Sequence, residues 1–455
     1  MEMVLEFLRD VLSQPALLIG IMSCVGLIAL KRPFHKIMTG TLKPILGYLM
    51  LAAGAGVIVS NLDPLGKMIE HGFHITGVVP NNEAIVAVAQ KVLGVETMSI
   101  LVVGLLMNLC IARFTKFKYV FLTGHHSLFM ACLMSAVLGT AGLAGMELIL
   151  VGGFLMGAWS AISPAIGQSY TSKVTDGDEI AIGHFGSLGY YLSAWVAKYV
   201  GKAEDSTEDI EIPEKWGFLR DSTLSTALTM IVFYLIAAFA AGSEFVAILS
   251  GEMSPYLYAV MSAMNFAVGV TIVYSGVRMI LGDLIPAFQG IATKIIPNAI
   301  PAVDCAVFFT YAPTAVVLGF LSSFIGGIIG MLILGAVGGV LIIPGLVPHF
   351  FCGATAGIYG NATGGRRGAA VGAFLNGLAI TFLPALALPV LGQLGFQNTT
   401  FGDADFAVMG LVLGNAYEWV GMAGIYGIVA IAALVLIIPN FIKTKGKVIN
   451  YVEED

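Results

Sequence analysis

Apolar runs of about twenty residues recur along this chain from residue 14 to residue 441. Each is long enough to cross the hydrocarbon core of a bilayer. Such runs leave a chain few choices, because a membrane span must satisfy its own backbone hydrogen bonds. A transmembrane barrel would show alternating segments of about ten residues, and the sequence has none of that pattern. Composition agrees: 58% of the 455 residues are hydrophobic and 11% are charged, where a soluble domain carries about 25% charge. The 56 glycines suit close helix packing in lipid. The fold class expected is an all-α polytopic membrane protein.

The runs predict eleven spans, near 14–30, 42–61, 97–114, 127–144, 147–168, 223–249, 257–283, 305–322, 325–345, 369–392 and 421–441. Lys31, Arg32 and Lys36 follow the first run, and Lys443, Lys445 and Lys447 follow the last. The positive-inside rule then places the N-terminus outside and the C-terminus in the cytoplasm, which an odd number of spans allows. Residues 1–10 carry Glu2, Glu6, Arg9 and Asp10 and lack the basic start of a cleavable signal. Segments 63–95 and 174–200, with parts of 284–303, 346–368 and 400–419, are too polar or too broken by glycine for ordinary spans. They read as re-entrant hairpins, which membranes tolerate only where protein or water covers the backbone.

The hydrophilic stretch "KAEDSTEDIEIPEKWGFLRDS" at 202–222 divides the chain near its middle and reads as a cytoplasmic linker. The two halves echo each other. "KPILG" at 43–47 matches "RMILG" at 278–282, and Glu83 in "PNNEAIV" matches Asp304 in "PAVDCAVF". His125 and His349 follow those acids at similar distances. The common order predicts two inverted repeats, an arrangement that puts substrate near the midplane at interrupted helices.

The stretch "IIPNAIPAVDCAVFF" at 295–309 sets one acid, Asp304, among apolar residues. An Asp at the bilayer centre costs roughly 2.5–3.5 kcal/mol, so such groups usually line a path or a site. Pro297 and Pro301 would interrupt a helix there and free backbone groups for a ligand. In "PNNE", Asn82 and Glu83 offer an amide and a carboxylate; a helix N-cap is the other reading. His125 and His126 follow Thr123-Gly124, and His184 follows Gly183. Each could donate to a polar ligand or bond a neighbouring carbonyl, and so could His349. The five cysteines sit in apolar surroundings without a metal-binding spacing. No zinc-protease motif or P-loop occurs, and no basic-aromatic patch suggests nucleic acid. Neither a cofactor nor a metal is expected. Glu83, Asp304 and the histidines could equally form the proton relay of an ion-coupled secondary transporter of a sugar or organic acid.

"GTLKPILGY", "FLTGHHSLF", "VTDGDEIAIGH", "SGVRMI", "AVDCAVFFTYAPTAVVLGF" and "LIIPGLVPHFF" resemble, in this order, segments of the membrane-spanning IIC component of the ascorbate-type bacterial phosphotransferase system. The resemblance covers essentially the whole chain. It implies a homodimeric permease of the bacterial inner membrane whose core carries substrate past a V-shaped dimerisation domain, an elevator. Residues 1–200 would be the first repeat, with V-shaped helices at 14–61 and core at 63–200. Residues 201–222 would be the linker. The second repeat would fill 223–441, with V-shaped helices at 223–283, core at 284–420 and an extra helix at 421–441. Residues 442–455 would be a cytoplasmic tail. The partners implied are L-ascorbate or a related carbohydrate, membrane lipid, and separate IIB and IIA phosphocarriers, the IIB bearing a phosphocysteine. This chain would hold no phosphorylated residue. The substrate-binding residues implied, with those of the first hairpin, are Asn82, Glu83, His125, His184, Phe185 and Asp304. Phe129, Phe185, Ala55 and the pair Asn82-Glu83 replace polar residues of the ascorbate pattern, which points to a site also suited to a neutral sugar or polyol.

Overall fold

The computed structural model describes residue 11 and residues 14–74, 77–78, 80, 82–210, 222–392 and 400–441. The second part of the expected linker, 211–221, and the tail at 442–455 lie outside the described residues. Helices dominate. They are α1 (Pro15–Ala29), α2 (Phe34–Gly72), α3 (Asn82–Phe114), α4 (Gly124–Thr140), α5 (Gly145–Thr175), α6 (Ser187–Val200), α7 (Ser222–Ala241), α8 (Ser243–Ser250), α9 (Pro255–Lys294), α10 (Pro313–Ala336), α11 (Leu346–Gly392), α12 (Ala404–Val420) and α13 (Met422–Phe441).

Among the described residues, seven helices are long and apolar enough to cross a membrane. The bent pair 226–241 and 243–250, which turns through 116°, makes an eighth if it counts as one span. Four of the eleven expected spans differ for physical reasons, the first because the run at 14–30 becomes α1, a helix of 15 residues that is too short to count. The runs at 305–322 and 325–345 contribute one helix, α10, because residues 305–310 form a 3-10 turn and the helix ends at Ala336. The run at 127–144 becomes α4, only 17 residues long and buried on most sides. Hydropathy sees apolar residues and cannot separate a lipid-facing helix from an interior one.

α1, α2, α7 and α9 pack on one another, while α3–α6 and α10–α13 make the other set of contacts. Where α2 crosses α9, a Cβ on Gly47 would meet Gly276 O at 2.9 Å, and one on Gly54 would meet Gly269 O at 2.8 Å. Only glycine permits backbones that close. α11 is itself two arms. Gly364 and Gly365 leave helical geometry, with Gly365 at φ 59°. Gly353 and Gly377, on opposite arms, both abut Ser323 of α10, so the chain doubles back as a helical hairpin.

Three short buried strands lie within this bundle: β1 (Tyr119–Phe121), β2 (Ala181–Ile182) and β3 (Ile300–Val303). They form a parallel sheet in the order β1-β3-β2. Ile300 donates to Lys118 O and Leu122 donates to Ala302 O, both at 2.9 Å. Bonding alternates sides along a parallel strand, so the Pro301 nitrogen faces the β2 side, ahead of where β2 begins to pair at Ala302. A sheet edge inside a bundle has no water to serve it. Asn108 of α3 closes the β1 edge, donating to Tyr119 O (3.2 Å) and accepting from Phe121 N–H (3.0 Å). Gln168 of α5 reaches the residue just before β2, donating to Ile180 O at 3.1 Å.

The described part of the linker forms turns and no span. It is bonded to the bundle. Glu208 accepts from Thr314 N–H and Ala315 N–H at the start of α10. Asn361 and Arg366, flanking the α11 tip, bond Thr207 N–H (2.8 Å) and Asp205 O (2.8 Å).

Candidate functional site

The three parallel strands end side by side, and each is followed by a predicted site residue. His125 lies four residues beyond β1, His184 two beyond β2, and Asp304 directly after β3. Parallel strands ending at helix starts collect polar side chains and free backbone N–H groups at one level, as in open α/β folds, where ligands bind beyond the strand ends.

Asp304 is 7% exposed. Its Oδ1 accepts from Ala306 N–H at 3.1 Å and caps the 3-10 turn of residues 305–310. Its Oδ2 lies 3.4 Å from His125 Nε2. The other ring nitrogen of His125 lies 3.3 Å from the Tyr48 hydroxyl, which reaches in from α2. The His125 side chain is 36% exposed, so this pair is the open part of the cluster.

His126 and His184 lie deeper, with ring centroids 3.8 Å apart. The turn after β2 hands each of them a backbone N–H: Phe185 donates to His126 Nδ1 (3.3 Å) and Gly186 to His184 Nδ1 (3.1 Å). Tyr190 adds its hydroxyl to His184 Nδ1 at 2.8 Å. A neutral imidazole that accepts at Nδ1 keeps its proton on Nε2. The two rings therefore present N–H donors, suited to an acceptor oxygen. His126, His184 and Asp403 each offer a ligand atom within 4.8 Å of one another, a spacing a metal ion could bridge. The engaged Nδ1 atoms leave no lone pair at either Nε2, so this donor set fits hydrogen bonding rather than a metal.

Phe185 is fully buried, stacked on Phe121 with centroids 4.6 Å apart and set edge-on to Phe406. It forms the floor beneath the histidines. Phe129 is half-buried and lies edge-on to His125. The Asn82 amide is engaged at both ends: it donates to Asp403 Oδ2 (2.5 Å) and accepts from Gly402 N–H (2.9 Å). Glu83 falls in the first turn of α3; its side chain lies outside the described residues. His349 bonds Ser323 Oγ at 2.9 Å between α11 and α10, the role of a packed core histidine.

Two acids went unnoticed in the sequence, Asp403 and Asp405 in "FGDADFA". Asp403 is 4% exposed, accepts from the Cys352 thiol at 2.9 Å and lies 3.9 Å from His184 Nδ1. The signal that marks Asp304, an acid in an apolar stretch before a helix, marks this pair as well.

With this geometry in place, comparison with known proteins decides the family. Residues 10–405 match the family described as PTS system sugar-specific permease component, EIIC-GAT. The chain belongs to that family. It is a multi-pass membrane protein, and the family is one of permease components of the phosphotransferase system. It is similar to the ascorbate-specific PTS system EIIC component of Mycoplasma pneumoniae, with 28% identity over 417 aligned positions covering 78% of this chain. The match covers 62% of that relative, so this chain spans less than two thirds of its length.

Proposed function

We propose that this chain translocates L-ascorbate or a closely related carbohydrate, and that a separate IIB protein phosphorylates the sugar as it is released. The observation that carries the reading is the convergence of His125, His184 and Asp304 at the ends of three parallel strands inside a membrane bundle. Acids that accept from hydroxyls stand beside imidazoles that donate to oxygen, which is what a polyhydroxylated ligand requires. The chain positions the acceptor hydroxyl, and the phosphoryl donor arrives on a soluble partner that is itself charged by a IIA protein. Phosphoryl transfer depends mainly on such positioning.

The transport mode we infer is rigid-body movement of the α3–α6 and α10–α13 body past α1, α2, α7 and α9 in a homodimer embedded in lipid. An odd number of crossings in two inverted repeats underlies this reading, with the N-terminus outside and the C-terminus in the cytoplasm. The match of α2 with α9 supports the repeats. These helices have 39 and 40 residues, carry the paired "KPILG" and "RMILG" motifs, and cross through glycines.

The test is uptake into cells that contain IIA and IIB, with ascorbate, pentoses and polyols offered in turn. Accumulation of a phosphorylated product that depends on phosphoenolpyruvate supports the reading. Uptake of unmodified substrate that collapses with an uncoupler but persists without phosphoenolpyruvate overturns it in favour of a proton-coupled transporter.

A further inference from the structure

We propose that Asp405 is a positioning residue that holds the His184 turn, and through it both buried histidines, in the donor arrangement the ligand meets. The inference rests on the transport reading above for its uptake readout only. Asp405 is 0% exposed. Three donors converge on its carboxyl group: Trp159 Nε1–H (3.2 Å) and the Ser187 hydroxyl (2.9 Å) on Oδ2, and Leu188 N–H (3.0 Å) on Oδ1. Its own backbone N–H donates to Phe185 O at 2.9 Å.

These bonds have one structural consequence. α6 begins at Ser187, and its local N-cap, Gly186, supplies no side-chain bond. Asp405, 218 residues further along the chain from Ser187, supplies the cap from another element. A helix start without a capping oxygen leaves backbone donors free. Here the residues just before that start are His184, Phe185 and Gly186. Asp405 fixes this turn at Phe185 O on one side and at Ser187 and Leu188 on the other. The Phe185 N–H, on the residue of the first anchor, and the Gly186 N–H, between the anchors, are the ones that reach His126 Nδ1 and His184 Nδ1. Holding the turn therefore holds both imidazoles with their protons on Nε2. Asp405 touches neither ring in this network and acts through the turn.

Asp405→Asn keeps the size and the backbone N–H but turns one acceptor oxygen into an NH2 donor facing other donors. KM for uptake should rise roughly tenfold, the scale of one charge-assisted hydrogen bond, while the maximal rate at equal membrane abundance changes little. In a His126→Ala, His184→Ala background the same change should add nothing further to KM, because the groups it positions are gone. Additive effects in the two backgrounds overturn the proposal. Ser187→Ala with Trp159→Phe removes two of the three donors and leaves Asp405 in place. This variant should raise KM in the same direction, and it serves as the test if Asp405→Asn does not reach the membrane; an unchanged KM overturns the proposal. A substrate-free readout separates this inference from the transport reading. In purified wild-type protein labelled with 15N-histidine, at pH 7.5, two rings assigned through His126→Gln and His184→Gln should show an unprotonated Nδ1 and a protonated Nε2. Asp405→Asn should mix the tautomers of both. Identical ring spectra in wild type and variant sink the positioning role whatever the protein transports.

Discussion

Asp304 shows how one side chain can hold two roles that the sequence presents as alternatives. Oδ1 caps the 3-10 turn and Oδ2 faces His125. Asn caps a helix start as well as Asp, so Asp304→Asn should leave thermal unfolding nearly unchanged. Losing the carboxylate toward His125 and the ligand should weaken apparent affinity roughly tenfold. Uptake KM and melting temperature, measured on the same preparation, check both halves; an unaltered KM would leave Asp304 a cap and nothing more. Phe129 and Phe185 part company at this scale too. Both stand where the ascorbate pattern has polar groups, but Phe185 is a fully buried stacking partner and Phe129 is half-buried beside His125. Phe185→Gln should therefore destabilise the protein by about 3 kcal/mol through lost packing and a buried amide. Phe129→Gln should spare stability and shift substrate preference toward ascorbate. A panel of competing sugars and a melting curve for each variant would expose the reverse pattern.

At the scale of elements, the buried sheet depends on groups borrowed from helices. Asn108 is an amide in the apolar second half of α3, and it closes the β1 edge with one donor and one acceptor. Asn108→Leu should orphan Tyr119 O and Phe121 N–H, at about 1–3 kcal/mol each. The loss should appear as a lower melting temperature in detergent, together with weaker substrate binding, since β1 leads into the start of α4 that carries His125; a variant that melts like wild type would mean the edge is served by something else. The strands were not legible in the sequence. Two to four residues have no usable period, and Tyr119 pairs with Ile300, and Ala181 with Ala302, across long separations that local pattern cannot see. The long apolar helices were legible, because the bilayer dictates both their length and their composition. Asp304, His125 and His184 were legible for a related reason: a polar group in an apolar stretch stands out. Asn108 and Gln168 carry the same signal, but a side-chain amide has too many bland roles for it to point to a sheet edge.

Across the whole molecule, the site sits where the two helix bodies meet, since Tyr48 of α2 touches His125 of the other body. The linker that joins the bodies is fastened at its start: Asp205, Thr207 and Glu208 bond the α11 tip and the first turn of α10. Residues 202–208 therefore belong to the same body as His125. The orientation of this attachment is a statement about topology that can be checked directly. Arg366 at the α11 tip lies beside Asp205 of the linker, next to Arg367, Lys202 and the acids at 204–209, and on the proposed topology the positive-inside rule predicts that this end faces the cytoplasm. Glu204 is exposed there. In a Cys24→Ser, Cys110→Ser background, which removes the two cysteines that are not buried, a Glu204→Cys thiol should resist a membrane-impermeant maleimide in intact cells and react fully once the membrane is opened. Ready labelling in intact cells would place the linker outside and invert the assigned topology.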